Sequence, residues 1–125
     1  MTTRTLQNLI NGEFVASADG RTSGIVNPAT EEEFAEAAVS GAEDVDRAMK
    51  AASKAFETWR DATPADRQKA LLKLADAMEA RADEFVRVES ENTGKPLGLT
   101  ASEELPPAID QVRFFAGAAR VLEGR

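Results

Sequence analysis

The segment Glu33–Trp59, EFAEAAVSGAEDVDRAMKAASKAFETW, decides the fold because its hydrophobic period changes from two residues to between three and four. The alternation over 33–39 predicts a short strand. Ser40, with Glu43 three residues later, predicts a capping box that starts a helix. Apolar side chains then recur at helical spacing and predict one apolar stripe: Val45, Ala48, Met49, Ala52, Phe56 and Trp59. The segment therefore predicts a β region that ends near 39 and a helical region that follows.

Upstream of this change, the sequence carries strand and turn signals. Asn11-Gly12 predicts a two-residue hairpin turn between Leu6–Ile10 and Glu13–Val15, since both central positions of that turn require positive φ. Gly24–Val26 predicts a further strand, which ends at the turn signal Asn27-Pro28. We therefore expect a small antiparallel β-sheet over about residues 6–39.

Downstream, the pattern is helical over about residues 41–123. Thr63 predicts an N-cap, and Gly94 predicts a helix end, with a break near Arg81–Asp83. Pro106-Pro107 fits another helix start and excludes an unbroken α-helix from Ser102. Two apolar stripes run along these helices. They consist of Leu71, Leu74, Ala75, Met78, Ala82, Phe85 and Val88, and of Ile109, Val112, Phe115, Ala116, Ala119 and Leu122. The expected fold class is α/β, a small sheet followed by a run of α-helices.

The composition excludes several kinds of chemistry. The 125 residues include no cysteine and no histidine, which excludes disulfides, thiolate zinc sites, a cysteine nucleophile and a histidine base. Acidic residues number 22 and basic residues 15, giving a net charge of −7, which suits neither nucleic acid nor an anionic membrane as partner. No stretch reaches the roughly 18 apolar residues of a membrane helix. Without cysteines or a targeting signal, we expect a cytoplasmic protein.

Three groups of residues each permit two interpretations. Asn92-Thr93-Gly94-Lys95 is either a small polar site or a glycine helix cap with a lysine on the helix dipole. Glu103, Glu104 and Asp110 either bind a cation or a substrate amine, or form a solvated acidic face. Phe114-Phe115 either lines a pocket or belongs to the core. Because no glycine-rich phosphate motif and no catalytic constellation occurs, we assign no catalytic and no cofactor-binding residue.

Short segments then follow one another in a characteristic order along the whole chain. They are LINGEF at 9–14, VNPAT at 26–30, EDVDRA at 43–48, TGKP at 93–96 and FAG at 115–117, together with Trp59, Pro64 and Glu89. In this order and spacing they resemble the start of the NAD(P)-dependent aldehyde dehydrogenases, from Leu6 to Gly124. Within that superfamily, 91–97 and 113–120 are similar to the aminoaldehyde and betaine-aldehyde group, above all to γ-aminobutyraldehyde dehydrogenases.

The resemblance implies that residues 1–125 form the N-terminal part of a Rossmann-like NAD-binding domain. Its helices would pack against a dinucleotide-binding sheet built by later residues. The family's nucleophilic cysteine, general-base glutamate and main cofactor pocket lie beyond the matched stretch. We therefore expect the catalytic domain to be absent and this segment to be inactive by itself. The complete protein is expected to oxidise a small aldehyde to the carboxylic acid with NAD or NADP. More specifically, the expected substrate is an aminoaldehyde. The complete protein is also expected to be a homodimer or homotetramer.

The resemblance also implies two sites. Some relatives bind a monovalent cation through a main-chain carbonyl matching Val26 and a side chain matching Asn92, where the neutral amide attracts a cation less than an aspartate would. Aminoaldehyde-oxidising relatives place acids near the mouth of the substrate tunnel, and one of these matches Glu104. The second acid matches Pro107, so Asp110 is the substitute that we expect to bind the substrate ammonium.

A second interpretation, from a different class, is an autonomous helical interaction module of aldehyde dehydrogenase ancestry without catalysis. The end of the sequence at Glu123-Gly124-Arg125, directly after a helix, favours the dehydrogenase segment over this module.

Overall fold

The computed structural model describes residues 4–121 and 123, so Leu122 and Gly124 of the sequence expectations lie outside the described residues. The chain forms two compact units, Met1–Asp61 and Ala62–Arg125. The first contains β1 (Arg4–Leu6), β2 (Asn8–Ile10), β3 (Glu13–Val15), β4 (Thr22–Val26), β5 (Glu33–Ala38) and α1 (Ala42–Trp59). The second contains α2 (Pro64–Ala80), α3 (Ala82–Thr93), α4 (Leu97–Leu99), a π-helical segment (Thr100–Glu104) and α5 (Leu105–Ala118). The predicted α/β class, strands before helices, is confirmed.

The predicted hairpin is present between β2 and β3. These strands pair antiparallel with Ile10 opposite Glu13. Asn11 and Gly12 connect them with φ of 55° and 82°, the two positive values that this turn requires. Leu6, which we expected in the same strand as Ile10, belongs instead to β1.

The three-stranded sheet has the order β1-β5-β4 and is mixed rather than purely antiparallel. β4 pairs antiparallel with β5, whereas β1 pairs parallel with it, in the register Arg4 to Ala35. β5 confirms the strand predicted at 33–39. Its Ala35 is completely buried and lies between Arg4 of β1 and Ile25 of β4. Parallel pairing joins residues far apart in sequence, so the local patterns gave no sign of it.

α1 begins one residue later than predicted, so the expected capping box of Ser40 and Glu43 is wrong. Gly41 is the N-cap, which makes Asp44 the third helical residue. The Asp44 carboxylate accepts the Gly41 N–H at 3.0 Å and, from a distant loop, the Ala18 N–H at 2.9 Å. Asp44 is buried as a result.

The predicted boundaries of α2 and α3 are confirmed. Thr63 is the N-cap of α2, and its Oγ1 accepts the Asp66 N–H at 3.2 Å while the Asp66 carboxylate accepts the Thr63 hydroxyl at 2.6 Å. The Thr63 hydroxyl and then the Thr63 backbone N–H, which donates to the same carboxylate at 3.3 Å, lower the pKa of Asp66 below its ordinary value. The helix breaks at Arg81, where φ is −115° and ψ is 24°. Gly94 ends α3 in the left-handed conformation, with φ of 76°.

The two prolines lie in the first turn of α5, as predicted, but the chain before them is also helical. The π-helical segment leads into α5, and the Leu105 N–H donates to the Thr100 carbonyl, five residues back. Because Pro106 and Pro107 have no N–H to donate, the regular α-helical ladder cannot continue through this region. The wider turn therefore replaces the break that the sequence predicted.

Few large apolar side chains are buried in the described part of the chain. The buried apolar residues there are Ala35, Ala75, Ile109 and Ala116. The stripe of α1 remains largely exposed, with Met49 at 65% and Phe56 at 59%. Phe114 and Phe115 are also exposed and contact each other edge to face, with ring centroids 5.3 Å apart. They are not core residues.

Between residues 4 and 121, none of the helices combines the length and the hydropathy that crossing a bilayer demands.

Candidate functional site

Lys95 connects two acidic side chains in the second unit. Its ammonium donates to Glu89 Oε1 at 3.1 Å and to Glu104 Oε2 at 2.9 Å. Glu89 lies on α3 and Glu104 ends the π-helical segment, so the ammonium ties these elements together. We call these three residues the lysine bridge. The hydrogen bonds to Glu104 and then to Glu89 raise the pKa of Lys95 above its ordinary value.

The turn after α3 directs Lys95 toward these carboxylates. The Ser90 hydroxyl donates to the Lys95 carbonyl at 2.6 Å, and the Thr93 hydroxyl donates to the Glu89 carbonyl at 2.7 Å. Gly94 thus acts as the helix cap that one of the two interpretations of 92–95 proposed. The lysine, however, binds two carboxylates, whereas the cap interpretation placed it on the helix dipole.

Two carboxylates of the lysine bridge lie on the wall of a cavity of about 260 Å³. We call it the small cavity. Its walls come from α3, the π-helical segment and α5, and they are Phe85, Val88, Glu89, Thr100, Glu104, Leu105 and Ala108. The small cavity is therefore an apolar space with two acidic groups on its wall, and both of them already bind Lys95.

Asp110 lines a different cavity, of about 410 Å³, in the same unit. Arg113 also lines it, and its guanidinium donates to Asp76 at 2.8 Å and to Glu79 at 2.6 Å, which raises the pKa of Arg113. The remaining wall is mainly apolar: Ala82, Val86, Ala101, Leu105, Pro106 and Ile109, with Asp83. The structure therefore places the two predicted amine-binding acids, Glu104 and Asp110, on separate cavities.

The residues of the predicted cation site belong to different units. Val26 is the last residue of β4, and its side chain is half exposed, while Asn92 is exposed near the end of α3. Within the described ranges, no cluster of three acidic residues could hold a metal ion. Binding of a monovalent cation by Val26 and Asn92 stays a prediction.

Sequence reasoning singled out Lys95 and Glu104 but missed Glu89 and the acidic partners of Arg113. Glu89 is six residues from Lys95, which is not a spacing that makes neighbours on one helix. Only the sharp reversal at Gly94 brings them together, so Gly94 was the available signal. Asp76 and Arg113 are separated by 37 positions, and no local pattern could have joined them.

Comparisons of the sequence and of the structure with known proteins find the same protein family. The aldehyde dehydrogenase family matches residues 14–125. An aldehyde dehydrogenase of Alternaria alternata is 40% identical over 117 residues, covering 93% of this chain and 24% of the relative. A 2-aminomuconic semialdehyde dehydrogenase of Danio rerio is 41% identical over 113 residues, covering 90% of this chain and 23% of the relative. The chain thus spans about a quarter of the length of these relatives.

Among solved structures, the NAD+ complex of an aldehyde dehydrogenase from Bacillus cereus superimposes with a TM-score of 0.94 at 34% identity. The match covers 98% of this chain and 25% of that structure. The fold of the described residues therefore resembles the corresponding part of that enzyme. Because the family matches most of the sequence, the chain belongs to the aldehyde dehydrogenase family.

Proposed function

We propose that this chain is the N-terminal segment of an NAD(P)+-dependent aldehyde dehydrogenase, and that the complete enzyme oxidises an aldehyde to the carboxylic acid. One observation carries the proposal: family membership over 14–125 coincides with a structural match along 98% of the chain. The chain spans a quarter of the matched enzyme, so most of the reactive groups would belong to a longer polypeptide.

The residues present support a structural role for this segment rather than a reacting one. Oxidation of an aldehyde in this family begins with a nucleophilic cysteine that adds to the carbonyl, and this chain has no cysteine. NAD(P)+, when bound by the complete enzyme, supplies the hydride acceptor. What the chain itself contributes is apolar helix faces, such as the exposed stripe of α1, for packing against the rest of the enzyme.

The proposal is tested by comparing the 125-residue chain with the protein expressed from its complete gene. With NAD+ or NADP+ and hexanal, we expect NAD(P)H formation only from the complete protein. Turnover by the short chain would contradict its supporting role. If the complete protein reduces neither cofactor with any of a panel of aldehydes, the dehydrogenase proposal itself is wrong.

The finer proposal concerns the substrate, for which we favour an aminoaldehyde such as γ-aminobutyraldehyde. Its support is the similarity of 91–97 and 113–120 to the aminoaldehyde group, and a carboxylate that could pair with the substrate ammonium. Glu104 already binds Lys95, whereas Asp110 has no ion-pair partner among the residues that the structure describes. In the complete enzyme, Asp110→Asn should therefore raise KM for the aminoaldehyde more than Glu104→Gln does. Equal KM values for all three proteins would refute amine recognition by this segment.

Three properties of the complete protein extend the proposal. We propose a homodimer or homotetramer, a cytoplasmic location, and a monovalent cation held by the Val26 carbonyl and the Asn92 amide oxygen. Oxygen atoms are the ligands that hard cations prefer, so the donor types fit. Replacing potassium and sodium by choline should lower the melting temperature of the wild type, and Asn92→Leu should abolish that difference. Native mass spectrometry measures the oligomeric state.

A further inference from the structure

The π-helical segment and the proline that follows it leave a backbone carbonyl without its helical donor. In a helix, the Ala101 carbonyl would accept the N–H of the residue four or five positions later. The Leu105 N–H donates to the Thr100 carbonyl instead, and Pro106 has no N–H. A backbone carbonyl is a strong hydrogen-bond acceptor, so the Ala101 oxygen can accept a hydrogen bond from a ligand.

This carbonyl is directed at the cavity of about 410 Å³ that Asp110 lines, which we call the large cavity. The carbonyl groups of a helix point along its axis toward the residues that follow. Ala101 lines the large cavity, and so do Leu105 and Pro106, the residues toward which its carbonyl points. The wall of the large cavity therefore includes an uncharged acceptor that the side chains alone do not reveal.

The large cavity also has a charge that favours cations. Among its lining residues, Glu79, Asp83 and Asp110 are acidic and Arg113 is basic, which leaves a net charge of −2. Arg113 already donates to Glu79 at 2.6 Å. Asp83 and Asp110, in contrast, have no ion-pair partner in the described part of the chain. Because the rest of the wall is mainly apolar, an aliphatic cation complements it.

The separation of the two acceptors determines the form of this cation. Ala101 and Asp110 are nine positions apart along continuous helical segments, which corresponds to on the order of 10 Å along the axis. An ammonium group reaches an acceptor at about 3 Å, so one group cannot bind both oxygens. A ligand that uses both acceptors needs a donor at each end.

We propose that the large cavity binds an aliphatic α,ω-diammonium ion, with one ammonium at the Asp110 carboxylate and the other at the Ala101 carbonyl. Asp83 contributes the second uncompensated negative charge, and the apolar wall contacts the methylene groups. The proposal concerns binding alone and involves no bond formation. Binding does not depend on the dehydrogenase activity; only its consequence there, competition with an aminoaldehyde for Asp110, rests on the proposed function.

The first test asks whether donors at both ends are required. Binding to the protein expressed from its complete gene is measured by ligand-detected NMR, without cofactor. We expect 1,4-diammoniobutane to bind about tenfold more tightly than butylammonium, the effect of one additional hydrogen bond from a charged group. The bis(trimethylammonium) analogue has both charges but no N–H, and should bind no better than butylammonium. Equal affinities for all three ions, or no binding of 1,4-diammoniobutane, would overturn the proposal.

The second test asks whether the Ala101 carbonyl is the second acceptor. Pro106→Ala supplies an N–H that allows the helix itself to satisfy this carbonyl. The affinity for 1,4-diammoniobutane should then fall about tenfold, to that of butylammonium, whose own affinity should not change. Pro64→Ala, at the first position of α2 and outside the large cavity, is the matched control and should alter neither. An unchanged affinity in Pro106→Ala would contradict the assignment of this carbonyl.

The third test concerns the carboxylate. Asp110→Asn should weaken the binding of both ammonium ions about threefold, the effect of one exposed ion pair. Glu103→Gln removes an exposed charge that does not line the large cavity, and should change neither affinity. Equal losses in the two variants would show unspecific attraction and overturn the site. Asp110→Ser replaces the asparagine variant if that does not fold.

Failure of this proposal can be distinguished from failure of the proposed function, because none of these tests depends on turnover. A protein that oxidises no aldehyde can still bind the diammonium ion. An active dehydrogenase that binds 1,4-diammoniobutane no better than butylammonium would overturn the binding proposal alone.

Discussion

At the residue scale, the Asp44 carboxylate binds two backbone N–H groups, one through each oxygen. Asp44→Asn leaves a single oxygen acceptor and turns an NH₂ group toward the other N–H. Because Asp44 is only 3% exposed, the loss is poorly compensated by water and should cost about 2 kcal/mol of unfolding free energy. Urea denaturation measures it. Asp46→Asn, at an exposed position of the same helix, is the control and should change the midpoint little.

A second prediction at this scale concerns the N-cap of α2. Thr63→Ala removes the hydroxyl that accepts the Asp66 N–H and donates to the Asp66 carboxylate. Its loss should lower the free energy of unfolding by about 1 kcal/mol. The lowered pKa of Asp66 gives this cost a pH dependence. A carboxylate whose pKa is lower in the folded state stabilises the fold at pH values above its unfolded-state pKa of 3.8. This stabilisation is lost as the pH falls through the lower pKa of the folded state.

The difference in urea midpoint between wild type and Thr63→Ala should therefore be constant near neutral pH and decrease in acid. Ser53→Ala, on the exposed surface of α1, provides the reference. A difference that grows on acidification would show that Asp66 does not contribute through its charge.

At the scale of secondary-structure elements, Arg113 joins α5 to α2 through Asp76 and Glu79. Both acids are largely exposed, so the ion pairs should contribute little and should be screened by salt. Arg113→Leu should lower the urea midpoint slightly in low salt, and the difference should nearly vanish in high salt. Arg120→Leu, which removes a hydrogen bond to the neutral Gln68, should show no such salt dependence. An effect of Arg113→Leu that is equal in both salts would point to lost packing.

Among the secondary-structure elements, the sequence predicted the features that depend on neighbouring residues and missed those that depend on distant contacts. The hairpin at Asn11-Gly12, the cap at Thr63 and the helix end at Gly94 depend on neighbouring residues, and all three are confirmed. The parallel pairing of β1 with β5 depends on contacts about thirty positions apart. The start of α1 was misplaced for a related reason, since the burial of Asp44 involves the distant Ala18.

The candidate site shows the same limit. The sequence analysis named Lys95 and Glu104 as individual charged residues, and both belong to the lysine bridge. Their pairing depends on how α3, the turn at Gly94 and the π-helical segment fold back on one another, which spacing alone does not reveal. The separation of Glu104 from Asp110 into two cavities likewise follows from the packing of α5 and not from the six positions between them.

At the scale of the whole chain, the exposed apolar faces dominate the expected behaviour in solution. Large side chains such as Met49, Phe56 and Trp59 are about half exposed or more. A side chain of this size left fully in water forfeits roughly 1.5–3 kcal/mol of burial energy, so each of these forfeits about half of that or more. We expect the 125-residue chain to bind a hydrophobic dye strongly and to associate with increasing concentration, as sedimentation would show. Phe56→Ser should weaken both effects, whereas Thr58→Ser, on the same helix, should not.

Weak dye binding and a monomer at all concentrations would favour the autonomous module over the dehydrogenase segment. Under the dehydrogenase interpretation, the complete protein should bind the dye weakly, because its additional residues would cover the faces that are exposed here. This comparison separates the two interpretations without any assay of activity.

The π-helical segment before α5 has a consequence for how the family can vary by insertion and deletion. Its hydrogen bond spans five residues where an α-helix spans four, so Thr100–Glu104 stores one additional residue. Deleting a single residue there would narrow this turn to α-helical width, with the two proline hydrogen bonds still absent, and would turn everything downstream by about 100° around the helix axis. Arg113 would then lose Asp76 and Glu79, and Asp110 would leave its cavity. A homologue with this deletion would thus present a different set of side chains to α2, although its sequence after the deletion would be unchanged.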